Sequence, residues 1–237
     1  MRAVILAGGK GTRLKPYTIT LPKPLVPVGE EPIMKLLLES LKKQGIKETV
    51  ICVNHMGNLI EAYFGDGSEY GMQIRYSREQ KPLGTVAPIK LIQGLPEDFL
   101  VMNGDVLTNL SFRKLFFEHK INDAILTVAT HARNVHIDYG VIGHDPDYFV
   151  NSFVEKPDYD VNVCMGIYAF NKRVFDYVPE NTYFGFDDLM HKLLDNGEKV
   201  KIFEHTGYWL DIGSPEDYEK ANEDVYRVMG QGIPKAQ

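Results

Sequence analysis

The sequence predicts an α/β fold in which one mostly parallel sheet is flanked by helices. Three observations predict it. Up to about residue 130, short apolar runs alternate with stretches whose apolar residues recur at helical spacing. The first apolar run, Ala3-Val4-Ile5-Leu6-Ala7, breaks at once into a glycine loop, Gly8-Gly9-Lys10-Gly11-Thr12-Arg13. No linker composition divides the 237 residues, so they read as a single domain, long for one unit but within range for this class.

The elements follow in order. A strand at 3–7 leads into the glycine loop. A helix at 32–44 starts on Pro32, which suits a first turn, and ends before Gly45, which suits a C-terminal cap. Its residues Ile33, Leu36, Leu37 and Leu41 share one face. The run 50–53 reads as a buried strand, 57–64 as a short helix and 73–76 as a strand. A helix is expected at 85–93, closed by Leu95-Pro96. A strand at 99–102 feeds Asn103-Gly104-Asp105, Ser111 caps a helix at 111–119, and 124–129 is the next strand. From residue 139 the pattern changes to short strands (139–143, 148–154, 163–170). A helix at 186–195, strands near 200–210 and a last helix from 215 to about 228 complete the chain. Asp187 and Asp188 read as cap or surface residues of the 186–195 helix. Residues 1–230 are expected to form the domain, and 231–237 a frayed tail.

Composition narrows the function. A net charge of −6 argues against a nucleic-acid surface, so anionic ligands must be met by local cations. No apolar run approaches the length of a membrane span, and a strand begins at the N-terminus where a leader would stand. Cys52, in an apolar run, reads as core. With Cys164 it makes two unpatterned thiols, which points to a reducing, cytoplasmic location. The seven histidines show no metal-ligand spacing.

Chemistry concentrates at the N-terminus. A buried strand running into a glycine loop lets backbone N–H groups close on phosphates, because glycine has no Cβ to hold them off. Arg13 and Lys23, the latter in Pro22-Lys23-Pro24, add two cations. The loop is not a Walker A sequence, since Lys10 is followed by Gly11. Nor is it a dinucleotide fingerprint, since position 14 is Leu14. Asp211, inside Trp209-Leu210-Asp211-Ile212-Gly213, is a carboxylate among apolar residues, costly to bury without a partner.

Six ordered motifs over about residues 1–225 resemble the sugar-1-phosphate nucleotidylyltransferases. They are Gly8-Gly9-Lys10-Gly11-Thr12-Arg13-Leu14 with Pro22-Lys23-Pro24, Glu79 to Thr85, Asn103-Gly104-Asp105, Tyr139-Gly140-Val141 with Val154-Glu155-Lys156-Pro157, Gly166-Ile167-Tyr168, and Trp209 to Gly213. The resemblance implies a Rossmann-like, GT-A-like nucleotidyltransferase fold, a single domain without a C-terminal β-helix. Its nucleotide half would span about 1–130 and its sugar-phosphate half about 131–230.

The implied reaction joins a sugar 1-phosphate to the α-phosphorus of an NTP and releases pyrophosphate, with Mg²⁺ as cofactor. Arg13 and Lys23 would be catalytic. Leu6, Ala7, Gly8, Gly9, Gly11, Thr12, Glu79, Pro82, Gly84, Thr85, Asn103 and Gly104 would bind the nucleotide. Gly140, Glu155, Lys156, Met165 and Gly166 would bind the sugar phosphate, with Lys156 on the phosphate and Glu155 on hydroxyls. Asp105 and Asp211 would hold the metal. Homo-oligomers are implied only weakly, and a role in supplying surface-polysaccharide precursors is a reasonable expectation.

Two departures bear on specificity. The family's base loop often reads P-L-G-T-A-G, where this chain has Val86-Ala87; the extra methyl and bulk are expected near the ligand. Relatives acting on hexoses often carry N-A-G-I-Y, where this chain has Cys164-Met165-Gly166-Ile167-Tyr168. A thiol is a weak donor, so the sugar contact is altered. The loop with Glu79 upstream looks most like the guanylyltransferase branch acting on mannose- or heptose-type 1-phosphates. Uridylyltransferases stay open, and so does a non-catalytic regulatory homologue. An NDP-sugar-consuming glycosyltransferase is disfavoured, because Asn103-Gly104-Asp105 lacks the first aspartate of a D-x-D motif.

Overall fold

The computed structural model describes residues 1–228, so the expected tail at 231–237 lies outside the described residues. In chain order the strands and helices are β1 (Arg2–Ala7), β2 (Pro27–Val28), β3 (Glu31–Pro32), α1 (Ile33–Lys43), β4 (Glu48–Val53), α2 (Gly57–Phe64), β5 (Gln73–Arg78), α3 (Ala87–Lys90), β6 (Asp98–Asn103), β7 (Val106–Thr108) and α4 (Phe112–Ile121). Then follow β8 (Leu126–His136), β9 (Val141–His144), β10 (Val150–Val154), β11 (Asp158–Asn171), α5 (Phe186–Asp195), β12 (Val200–Glu204), β13 (Trp209–Asp211) and α6 (Pro215–Val228).

Seven strands form the main sheet in the order β12-β8-β11-β6-β1-β4-β5. β1 pairs in parallel with β4 and β6, β4 with β5, and β12 with β8; β11 alone runs against its neighbours β6 and β8. The expectation of a mostly parallel sheet flanked by helices holds. The chain steps outward from β1 to β4 and β5, then returns to the other side of β1 for β6. The loops leaving β1 and β6 therefore diverge, which opens a crevice at the C-terminal ends of those strands.

Alternation along β1 feeds two cores. Ala3, Ile5 and Ala7 pack with α1, α2 and α4, while Val4 packs with residues of α3 and α5 on the opposite face. Helix α1 buries Ile33, Leu37, Leu41, Met34 and Leu38. It ends at Gly45, whose N–H bonds the Lys42 carbonyl while Ile46 N–H bonds that of Leu41, a Schellman-type stop. A third core, including Leu14, Ile33, Leu210 and Val225, lies beneath α6. Cys52 is buried as expected. No described helix is long and apolar enough to cross a membrane.

Several boundaries differ from expectation. α3 is a single turn, because the Val86 and Ala87 N–H groups bond the Phe184 carbonyl rather than starting a helix at 85. β8 and β11 extend as a ribbon well past 129 and before 163. Cross-strand bonds such as Asn134 Nδ2 to Asp160 Oδ1 hold that extension without apolar periodicity. The strands near 200–210 are two: β12 joins the main sheet, and β13 pairs with the unexpected β7. Asp188 caps α5, accepting the Gly185 N–H at 2.7 Å.

Candidate active site

The crevice is a cleft of about 560 Å³ at the C-terminal ends of β1, β4, β5 and β6. Every residue expected at the nucleotide lines it: Leu6, Ala7, Gly8, Gly9, Gly11, Thr12, Glu79, Pro82, Gly84, Thr85, Asn103 and Gly104. Arg13, Lys23 and Asp105 line it too.

Its charged corner draws on several chain segments. Pro22-Lys23-Pro24 enters a 3₁₀ turn closed by Leu25 N–H to Pro22 O at 2.8 Å, which presents Lys23 inward. The glycine loop is tied to the turn that follows it by Thr18 Oγ1, which donates to Gly11 O at 2.8 Å. Lys23 Nζ forms an ion pair with Asp105 Oδ2, both side chains largely buried. The other carboxylate oxygen, Asp105 Oδ1, is buried without a hydrogen-bond partner.

β13 lays Asp211 opposite Val106, next to Asp105, and Ile212 N–H bonds Asp105 O. The following segment is fixed by a reciprocal cap: Asp217 Oδ2 accepts the Ser214 N–H while Ser214 Oγ accepts the Asp217 N–H. The Arg13 guanidinium lies against Gly213. Burial pushes the Asp211 carboxyl above the ordinary range and the nearby Asp105 adds to this, while Lys23 and Arg13 oppose it.

Two acidic groups therefore crowd a desolvated corner with one buried oxygen unsatisfied. That donor set fits a hard cation held by few carboxylates, with the remaining positions left to phosphate oxygens and water. Asp105 and Asp211 are the residues that would hold Mg²⁺.

Glu79 is a latch. Its Oε1 accepts from Asn54 Nδ2 at 2.7 Å and its Oε2 from Leu83 N–H at 2.8 Å, so it ties β4 to the loop that follows β5. That loop docks on the distal half of the chain. Gly84 has φ +89°, and a Cβ there would meet Phe184 O at 2.7 Å. Phe184 N–H bonds Leu83 O, and Phe186 N–H bonds Thr85 Oγ1. Val86 and Ala87 point into the core with Phe99 and Tyr168, so the extra bulk expected near the ligand lies away from it.

The sugar-phosphate residues are dispersed. Gly166, φ +70° in a register shift of β11, makes room for Asn103: a Cβ there would approach Asn103 Nδ2 to 2.5 Å. Met165 is buried, and only its carbonyl is in play, accepting from Trp209 Nε1 at 3.0 Å. Gly140, Glu155 and Lys156 are exposed at the base of the β9–β10 hairpin, outside the wall of the cleft. Glu155 lies against Gly140. Cys164 donates its Sγ–H to Tyr168 Oη at 3.3 Å.

Sequence reasoning missed Asn54, His55 and Ser77, which also line the cleft. Their signal was position: Asn54 and His55 directly follow β4, which flanks β1, and Ser77 is near the C-terminal end of β5, the next strand out.

Residues 2–227 match the Nucleotidyl transferase family. The chain is 35% identical to a UTP–glucose-1-phosphate uridylyltransferase of Synechocystis sp., over 95% of this chain and 63% of that protein. It is 36% identical to the mannose-1-phosphate guanyltransferase of Candida albicans, over 92% and 62%. It thus spans about three-fifths of the length of these curated relatives. The crystal structure of HddC from Yersinia pseudotuberculosis complexed with GMP-PN superposes with a TM-score of 0.71 at 30% identity, covering 94% of this chain and 99% of that one. The ordered motifs, the cleft at the switch point of the sheet and these matches agree: the chain belongs to the nucleotidyl transferase family.

Proposed function

We propose that this chain transfers a nucleotidyl group, with GTP as the preferred donor, to a sugar 1-phosphate. An oxygen of the sugar phosphate attacks the α-phosphorus, a new P–O bond forms, the bond to the β-phosphate breaks, and pyrophosphate leaves. The observation that carries this reading is the Lys23–Asp105 pair beside Asp211, at the end of the glycine-lined cleft.

The nucleophile needs no general base, because a phosphate monoester loses its second proton at roughly pH 6. The obstacle is the approach of two polyanions. Lys23, held in place by Asp105, offers a point charge between the α-phosphate and the incoming phosphate. Arg13 presents a planar fork that can take two oxygens of the leaving pyrophosphate. Asp105 and Asp211 are the residues that would hold Mg²⁺, which would supply charge neutralisation there. The glycine loop contributes backbone N–H groups.

The base preference rests on Glu79. A carboxylate only accepts hydrogen bonds, and with one lone pair of each oxygen taken by Asn54 and Leu83 it still has others to offer. Guanine presents an N2 amino donor that uracil lacks. The guanyltransferase relative and the GMP-PN complex of HddC support the same base. The uridylyltransferase relative supports UTP as the second reading. For the sugar, Cys164 is turned to Tyr168, which favours an acceptor other than plain glucose or mannose.

Pyrophosphate release with Mg²⁺, crossing GTP, UTP, dTTP, CTP and ATP with mannose, glucose, amino-sugar and heptose 1-phosphates, tests the proposal. GTP-dependent release that requires a sugar 1-phosphate supports it. UTP-dependent release replaces the base assignment, and no release from folded protein with any pair overturns the reading.

A further inference from the structure

Asn54 directly follows β4 and lines the cleft with one side-chain acceptor unspent. Its backbone is fixed by the turn into α2, where Gly57 N–H bonds Asn54 O at 3.1 Å. Its amide is fixed by Glu79, whose Oε1 lies 2.7 Å from Asn54 Nδ2. A carboxylate only accepts, so the amide nitrogen must face Glu79 and Oδ1 must face elsewhere. Among the described residues Oδ1 meets no donor, and it is not sealed from solvent. Glu79 keeps free lone pairs as well, since Asn54 and Leu83 take one on each oxygen.

Position decides what these acceptors can meet. The sheet order β6-β1-β4-β5 puts Asn54 two strands, and Glu79 three, from the strand that ends at Asp105. At strand spacing that is roughly 10 and 14 Å across the sheet. Phosphates held at the Lys23–Asp105 corner therefore leave the β4–β5 end of the cleft to the base. The pair also closes directly on the glycine loop: a Cβ at Gly8 would meet Asn54 Cβ at 3.2 Å and Glu79 Oε1 at 3.4 Å.

We propose that Asn54 shares selection of the base with Glu79. Asn54 Oδ1 accepts one hydrogen of the guanine N2 amino group, and Glu79 accepts the other. This rests on GTP as the donor, the reading proposed above. Uracil and thymine carry no amino group, and those of adenine and cytosine stand at the corner where guanine carries O6. The pair cannot adapt to such a base, because turning the amide over would set Oδ1 against the Glu79 carboxylate. A base without the N2 amino group leaves both acceptors unpaired in the cleft, and that cost is what selects.

The test is calorimetric binding of GTP, inosine triphosphate (ITP) and UTP to the full chain with Mg²⁺ and no sugar phosphate. ITP differs from GTP only in lacking the N2 amino group. Wild type should bind GTP tighter than ITP by about tenfold or more. Asn54→Ala should weaken GTP by about tenfold and ITP by less than about twofold, so the ratio contracts. Asn54→Asp keeps an acceptor but loses the donor to Glu79, and should retain the ratio even where the loosened loop weakens every nucleotide. A ratio lost in Asn54→Asp as well, or equal weakening of all three nucleotides in Asn54→Ala, makes Asn54 a strut for Glu79 and overturns the proposal. Equal wild-type affinity for GTP and ITP, both above UTP, also overturns it and leaves the GTP reading standing. Wild-type binding of UTP above GTP removes guanine itself, and the proposal with it.

Discussion

Lys23 and Phe153 sit at opposite extremes of this molecule. Lys23 is largely buried, paired with Asp105, and carried on a turn fixed by two prolines. Phe153 is 60% exposed on a hairpin that contributes to no core. Lys23 is carried by a short turn beside the cleft, and Phe153 by a strand of a separate two-stranded sheet. The difference is in what the surroundings over-determine. At the cleft, caps, latches and close backbone contacts fix polar groups that gain nothing for stability alone. At the hairpin, apolar groups are left without the contacts that would make them stabilising. Strain and desolvation concentrate where charge must be placed, while unspent apolar surface concentrates where another layer can be received.

The comparison breaks most easily at Lys23. Lys23→Ala should lower kcat/KM for nucleotidyl transfer by about a hundredfold or more, the scale of other groups that stabilise developing charge. Circular dichroism should be unchanged. A loss of less than tenfold in a folded variant would mean that the over-determined corner is not where bonds change.

The next effect is at Gly84. Gly84→Ala puts an L-residue in the left-handed region, a strain of roughly 1–2 kcal/mol, and drives its Cβ towards Phe184 O. At about 2–4 °C per kcal/mol for a chain of this size, Tm should fall by several degrees, and KM for the NTP should rise as the loop loosens. An unchanged Tm would mean that the loop is not docked on Phe184.

Much of this region was legible in the sequence, for identifiable reasons. β1, β4 and β6 are buried on both faces and so read as continuous apolar runs. α1 announces itself by its periodic Ile33, Leu37 and Leu41 and by Gly45. What stayed hidden depends on contacts distant in sequence. The latch between Glu79 and Asn54, the closeness of Gly166 to Asn103, and the inward turn of Val86 and Ala87 leave no local pattern. The ribbon beyond residue 130 was missed because it is exposed on both faces, and periodicity reports burial, not pairing.

Titration sharpens the contrast between places that are desolvated and places that are not. Asp211 is raised, chiefly by burial, so the folded chain holds its proton more tightly than the unfolded one. Its contribution to stability is present below the ordinary carboxylate range and is lost as pH rises through the folded value. Asp211→Asn should therefore raise Tm of the metal-free chain near neutral pH, with the gain vanishing in acid. His119 runs the other way. Burial lowers it, with Asp98 opposing, and its Nε2 has no hydrogen-bond partner. Its contribution is present above its ordinary value of 6.5 and is lost as pH falls through the folded value. His119→Gln should flatten the decline of Tm between about pH 7 and pH 5 relative to wild type. Parallel curves for either variant would remove burial as the cause.

The smallest expected effect belongs to the hairpin, and its smallness is informative. Phe153→Ser removes a whole aromatic ring, yet in dilute protein it should change unfolding free energy by no more than about 0.5 kcal/mol, as for other surface positions without a buried partner. The single methyl of Gly84→Ala should outweigh it, although the deleted ring is many times larger. The measurement is a pair of denaturant titrations on the same day at the same low concentration, so that association does not contribute. If Phe153→Ser destabilises dilute protein by more than Gly84→Ala does, the ring is already covered within one chain, and the division between a fixed cleft and an uncovered arm fails. If the loss appears only as concentration rises, the energy of that ring is spent between chains and not within one.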